Sequence, residues 1–181
     1  NELTTLKWCP EIVNGDFDCS NNKLTSLKGF PKDIKSHIDI SNNYLTELDR
    51  DIQKNVSGSF DCSNNQLISL KGSPEEIEMN FHCKNNKISS LEGAPKKIGG
   101  VFYCTDNPEL KNVKKHIIKH QIRALNYYTD EGNFTFKEIE KEFFKEKSKI
   151  EKKQINKSIV ENIHENLEII DLFCNSNNCQ I

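Results

Sequence analysis

Four of the seven cysteines recur at near-constant spacing, Cys19, Cys62, Cys83 and Cys104, and Ile40 takes the same slot between the first two. Thiols in such a row could bind a metal, bridge in pairs, or fill a core as small hydrophobes. The isoleucine in the column supports the last. Neighbouring strands would bring them within about 4.8 Å, near enough for a bridge, yet side chains pointing in parallel would strain it. Free buried thiols in a reducing, cytoplasmic compartment are expected. On the same period stand Asp18, Asp39 and Asp61, then His82 and Tyr103. Paired carboxylates can do acid–base work or hold calcium, but these sit on separate repeats, without an oxygen-rich loop or a recognisable partner acid. His116 and His120 have an i, i+4 spacing that could place two imidazoles on one metal, though no third ligand is evident. Cys174 and Cys179 bound a polar CNSNNC stretch with His164 nearby, which could bridge, bind a metal or supply a nucleophile; no supporting acid or Gly-rich turn accompanies them. No catalytic residue, metal or cofactor is therefore assigned.

What must position these residues is a repeat. The segments DFDCSNNKLTSL (16–27), HIDISNNYLTEL (37–48), SFDCSNNQLISL (59–70), NFHCKNNKISSL (80–91) and VFYCTDNPEL (101–110) align Phe17, Ile38, Phe60, Phe81 and Phe102 at intervals of 21, once 22. With the Cys/Ile column two residues on, two inward side chains flank one outward one, the period of a strand. Asn22, Asn43, Asn65, Asn86 and Asn107 stand where the chain must leave the strand, and there a short amide can bond backbone groups that the sheet no longer satisfies. Leu24, Leu27 and their equivalents then turn inward. The return segment carries Pro31, Pro74 or Pro95 with a nearby Gly, so an extended or polyproline-like back is expected rather than a helix. In the third coil Ile52 replaces the proline and Asp49–Val56 holds one extra residue, which predicts a bulge.

The pattern F-x-C-S-N-N-x-L-T-S-L-x-G-x-P resembles the leucine-rich repeat, in particular the short repeats of bacterial and bacteriophage proteins, over roughly residues 1–113. The resemblance implies a curved parallel sheet used to bind another macromolecule, most often a protein, and is compatible with a host-directed or virion-associated role. Asn1, Glu2, Leu3 and Leu6 align with Asn22, Lys23, Leu24 and Leu27, so an upstream extension is expected.

On the outward face the central column reads Asp18, Asp39, Asp61, His82, Tyr103: acidic first, then basic or aromatic. Three stacked carboxylates repel one another, and a cationic partner would relieve that repulsion. Tyr103 is a candidate anchor at the far end. Beyond Asn107 the composition shifts to Lys, Glu and Ile. Val113, Ile117, Ile118, Ile122 and Leu125 predict a helix over 112–127 that closes the last coil. After the polar break at 129–133, Thr135 and Glu138 form a capping box, and Phe134 with Ile139 is placed as its hydrophobic staple, so a second helix should begin at Phe136. A charged stretch from Lys145 to Lys157 makes this helix exposed or broken near Lys153, before apolar spacing resumes at Ile159.

The 181 residues carry 25 Lys and Arg against 27 Asp and Glu, a balance that argues against nucleic-acid binding by bulk charge. No apolar run suits a membrane span. The reading is a β-rich leucine-rich-repeat solenoid over 1–110, one short parallel strand per coil, with a helical cap or tail over 111–181. It is a non-enzymatic module that binds another protein on its concave face. The alternative is an assembly component that self-associates through 136–181.

Overall fold

The computed structural model describes residues 1–48 and 52–176. The chain divides into two compact units, Asn1–Ile139 and Glu140–Ile181. In chain order the elements are β1 (Ile12–Val13), β2 (Phe17–Asp18), β3 (Asp33–Ile34), β4 (Ile38–Asp39), β5 (Asn55–Val56), β6 (Phe60–Asp61), β7 (Glu76–Ile77), β8 (Phe81–His82), β9 (Lys97–Ile98) and β10 (Val101–Tyr103). They are followed by α1 (Val113–His120), β11 (Asn126–Thr129), β12 (Gly132–Thr135) and α2 (Phe136–Ser176). This is a parallel β-solenoid with a helical C-terminal region, the architecture that the 21-residue period implies.

The broad sheet has the order β12-β11-β10-β8-β6-β4-β2 and is parallel except for the β11–β12 hairpin. Its register aligns Phe17, Ile38, Phe60, Phe81, Phe102 and Tyr127 in one row. From Phe60 onward these side chains are fully buried, and the Phe81 and Phe102 rings stack with centroids 5.4 Å apart. Each such phenyl group contributes about 2–3 kcal/mol of burial. The cysteine row packs beside it, and the Leu pairs complete the core.

The return segments are extended, as expected, but they also pair. β1 joins β3, and β5, β7 and β9 form a three-stranded sheet. These back strands contribute a third inward column, Val13, Ile34, Val56, Ile77 and Ile98, of which all but Val13 are fully buried. The back pairing is interrupted between β3 and β5, at the coil with the extra residue. Gln53 spans the interruption: its Oε1 accepts from the Ile34 N–H (2.7 Å) and its Nε2 donates to the Ile34 and Asn55 carbonyls (2.9 and 2.6 Å). Asp49–Asp51, where the bulge is expected, lie outside the described residues.

At the exit from each broad-sheet strand the two turn residues divide the work. The first, Asn21, Asn42, Asn64, Asn85 or Asp106, takes a left-handed backbone with φ of 52–57°, which Asn and Asp tolerate better than other non-glycine residues. The second is the buried ladder asparagine. Asn65 is representative: its Nδ2 donates to Cys62 and Ser63 of its own coil and to Ile40 of the preceding one, while its Oδ1 accepts from the Leu45 N–H at 3.0 Å. One amide thus closes its own turn and clamps the neighbouring coil. Gly29 ends the descent into the back, with φ +92°; a Cβ there would lie 2.6 Å from the Leu6 carbonyl oxygen.

The sixth coil departs from the expectation. α1 stops at His120 because Gln121 adopts a left-handed conformation (φ 55°) and its N–H caps the Ile117 and Ile118 carbonyls. The helix expected over 112–127 therefore ends early: residues 121–125 leave it as a turn, and Asn126 and Tyr127 begin β11, which adds to the sheet beside β10. Tyr127 is buried in the phenylalanine row and donates its hydroxyl to the Ile122 carbonyl (2.9 Å) while accepting from the Ala124 N–H (3.0 Å). Leu125, counted in the helical stripe, is 63% exposed.

α2 starts at Phe136 as expected. Thr135 N–H and Oγ1 both bond Glu138 Oε2 (2.7 and 3.0 Å), and the Glu138 N–H donates back to Thr135 Oγ1 (3.3 Å). Phe134 and Ile139 are both buried in the solenoid core. Of the two outcomes expected for the charged stretch, exposure or a break near Lys153, the first is found: the helix runs on and residues 145–157 are exposed. Lysine and glutamate are good helix formers, so a charged composition alone does not end a helix.

Candidate functional surface

The strand register lines up Asp18, Asp39, Asp61, His82 and Tyr103 on successive strands of the broad sheet. Tyr128, on β11, extends the row by one position. In the sequence this position is concealed by the helical apolar spacing of 113–125 that leads into the strand. The aromatic pair Tyr127–Tyr128 followed by Thr129, ahead of a Gly-containing turn, was the available sign.

The row has two halves. In the acidic half each carboxylate accepts from the N–H two residues on: Asp18 from Ser20 (2.8 Å), Asp39 from Ser41 (2.9 Å) and Asp61 from Ser63 (2.8 Å). These bonds hold the carboxylates in a common orientation and offset part of their repulsion. In the aromatic half His82 stacks on Tyr103 with ring centroids 4.5 Å apart, and Tyr103 stacks on Tyr128 at 5.0 Å. Burial holds the His82 imidazole below its ordinary pKa, against the opposing pull of the Asp61 and Asp39 carboxylates. Its neutral form is favoured.

The neighbouring outward column is spent on the fold. Asp16 Oδ1 accepts from the His37 N–H (3.1 Å), His37 Nδ1 from the Ser59 N–H (3.0 Å), Ser59 Oγ from the Asn80 N–H (3.2 Å), and Asn80 Oδ1 from the Val101 N–H (2.9 Å). Each of these side chains caps the backbone of the next coil. The central row is therefore the more available of the two for contact.

Among the described residues the other chemistry-bearing side chains are buried in the core or form no metal-binding group. Cys9, Cys19, Cys62, Cys83 and Cys104 are free. Burial pushes the Cys19 and Cys104 thiols up to about 12 and raises Cys62 and Cys83 well above the ordinary range, so all four stay protonated and weakly reactive. His116 and His120 stack at 5.9 Å, but among the described residues no group of three His, Cys, Asp or Glu side chains could hold a metal ion. Cys174 and His164 lie within α2, whereas Cys179 falls outside the described residues. No helix among the described residues is long and apolar enough to cross a membrane.

A stacked repeat of this kind is a scaffold generally used for protein–protein interaction. The 21-residue period agrees with a leucine-rich-repeat type of architecture in general. No protein-family model, curated protein or solved structure matches the chain.

Proposed function

We propose that the protein is a non-enzymatic recognition module that binds another protein across the broad sheet, through Asp18, Asp39, Asp61, His82, Tyr103 and Tyr128. The observation that carries this reading is the polarity of the row: three carboxylates at one end, three stacked rings at the other, on one sheet. A matching partner presents a cationic segment to the aspartates and an apolar or aromatic segment to Tyr103 and Tyr128. Six parallel strands from β2 to β11 give about 24 Å of sheet width, room for a helix or an extended segment. Because the strands are already paired, little conformational entropy is lost on the module's side when the partner docks.

The protein belongs, on this reading, with the short-repeat proteins of bacteria and their phages, acting in a reducing cytoplasm on a host or virion protein. The repeat portion, residues 1–110, supplies most of the contact face. The test is paired affinity capture from a bacterial lysate, with the natural chain and with Asp18→Lys/Asp61→Lys, read by mass spectrometry. A partner retained by the first and lost by the second supports the site. Identical recovery by both places binding elsewhere.

A further inference from the structure

The row on the broad sheet has a definite pitch. His82 and Tyr103 stack at 4.5 Å and Tyr103 and Tyr128 at 5.0 Å, the separation of neighbouring strands. Six side chains therefore stand at intervals of about 4.8 Å over about 24 Å. All six are exposed or half-buried. A partner that answers every member of the row must present one side chain per strand. An α-helix lying across the strands does so: its a and d positions follow one another at about 5.3 Å, a drift of only about 2 Å over the whole row. An extended segment presents a side chain to one face about every 6.7 Å and a polyproline helix about every 9.3 Å, and each would skip members.

The charges say which residues such a helix carries. Asp18, Asp39 and Asp61 each commit Oδ1 to the N–H two residues on, and among the described residues no ion pair engages any of them. Elsewhere in the solenoid carboxylates meet a lysine of the adjacent coil, as Glu75 does Lys54 (3.0 Å) and Glu92 does Lys71 (3.2 Å). The three charges of the row stay open to a partner. At the other end Lys84, two residues after His82 and close enough to oppose its protonation, sets a positive charge beside the rings. Cations are thus drawn to the aspartates and turned away from the aromatic half.

We infer that the occupant of the broad sheet is an amphipathic α-helix of another protein, about 18 residues long, that crosses the strands with its side chains in a fixed order. Lysine or arginine at three successive a and d positions lies over Asp18, Asp39 and Asp61, and apolar residues at the next three lie over His82, Tyr103 and Tyr128. This rests on the reading of the row as a recognition face and adds the partner's conformation and the order of its side chains.

Fluorescence anisotropy of labelled synthetic peptides against the full chain tests it. The first peptide, held helical by a lactam bridge on its far face, carries arginine at the first three a and d positions and leucine at the last three. The second, likewise bridged, has the same composition with arginine and leucine alternating along the seam. The third keeps the order of the first but has a central proline and no bridge. The first is expected to bind saturably, at least tenfold tighter than either of the others, and to lose at least tenfold on Asp18→Lys/Asp61→Lys, a variant whose fold circular dichroism checks. Equal binding of the alternating peptide overturns the order of side chains, and equal binding of the proline peptide overturns the helix; both leave the row a recognition face. No binding by the first peptide overturns the inference, while a lysate partner still lost on Asp18→Lys/Asp61→Lys would keep the broader reading. Peptide binding that the double variant does not weaken sinks both.

Discussion

The inner coils and the sixth coil solve the same problem by different means. Inside the solenoid the turn N–H groups donate to carbonyls of the next coil: Asn42 to Ser63, Asn64 to Lys84, and both Asn85 and Asn86 to Thr105 and Asp106. At the end of the repeat those carbonyls are replaced by a side chain. Asp130, in the tight turn between β11 and β12, accepts from the Asp106 N–H (2.8 Å) through one oxygen and from the Asn107 N–H (3.1 Å) through the other. Its neighbour Glu131 accepts from the Asn112 and Val113 N–H groups at the start of α1, where no side chain of the N-cap itself does so. A repeat can end wherever two adjacent carboxylates stand in for the next coil's backbone, and the hairpin that carries them also supplies the closing strand.

The comparison can be broken most severely in the inner core. Phe81→Ala, in a fully enclosed slot between Phe60 and Phe102, should destabilise the protein by about 3–5 kcal/mol in urea denaturation; Phe17→Ala, at the rim and 9% exposed, should cost distinctly less. Equal losses would mean that the coils do not differ in enclosure.

Next comes the amide ladder. Asn65→Ala leaves the Leu45 N–H without its acceptor and takes one donor from the Ile40, Cys62 and Ser63 carbonyls, each of which keeps another, and should cost about 2–3 kcal/mol, whereas Asn22, which bonds only two carbonyls of its own coil and the Leu3 N–H, should cost less on the same substitution. Thermal unfolding of the two variants ranks them. A smaller effect, about 2 kcal/mol, is expected for Asp130→Ala, with Asp130→Asn intermediate because the amide keeps one acceptor oxygen. Hydrogen exchange should show the loss first at Asp106 and Asn107; uniform acceleration over all coils would deny Asp130 a local closing role.

The mildest test is pH. Burial lowers the pKa of His82 in the outward row of the inner coils, and likewise of His116 and His120 on α1. Each therefore binds a proton less readily folded than unfolded, so stability is fully present above the ordinary histidine value of about 6.5 and is lost as pH falls through the folded values. The melting temperature should drop below pH 6.5. His82→Phe, which keeps a ring against Tyr103, should flatten that drop only in part, leaving the share due to α1.

Most of the inner-coil architecture was legible because it repeats. A column such as Cys19, Ile40, Cys62, Cys83, Cys104 states a burial requirement five times over, and the outward Asp18–Tyr103 row follows once the period of two is known. The back column Val13, Ile34, Val56, Ile77, Ile98 is equally periodic, but the Pro and Gly around it speak against a helix without specifying a paired strand. The sixth coil occurs once, so nothing corroborated it: the apolar spacing over 113–125 suits a helix and a coil closure alike, and Gln121 bears no mark of its left-handed turn. Tyr128 was hidden with it, and with it the third ring of the stack.

The amino-acid sequence alone determined the coil period, the inward residues of each strand, and the asparagine turn, because all three are local choices reiterated until one reading survives. Where the repeat stops, which outward side chains are consumed by neighbouring backbone, and that Asp130 and Glu131 serve as the terminus were decided only in three dimensions. Those features depend on which N–H groups are left without a carbonyl, and that is known only when the coils are stacked.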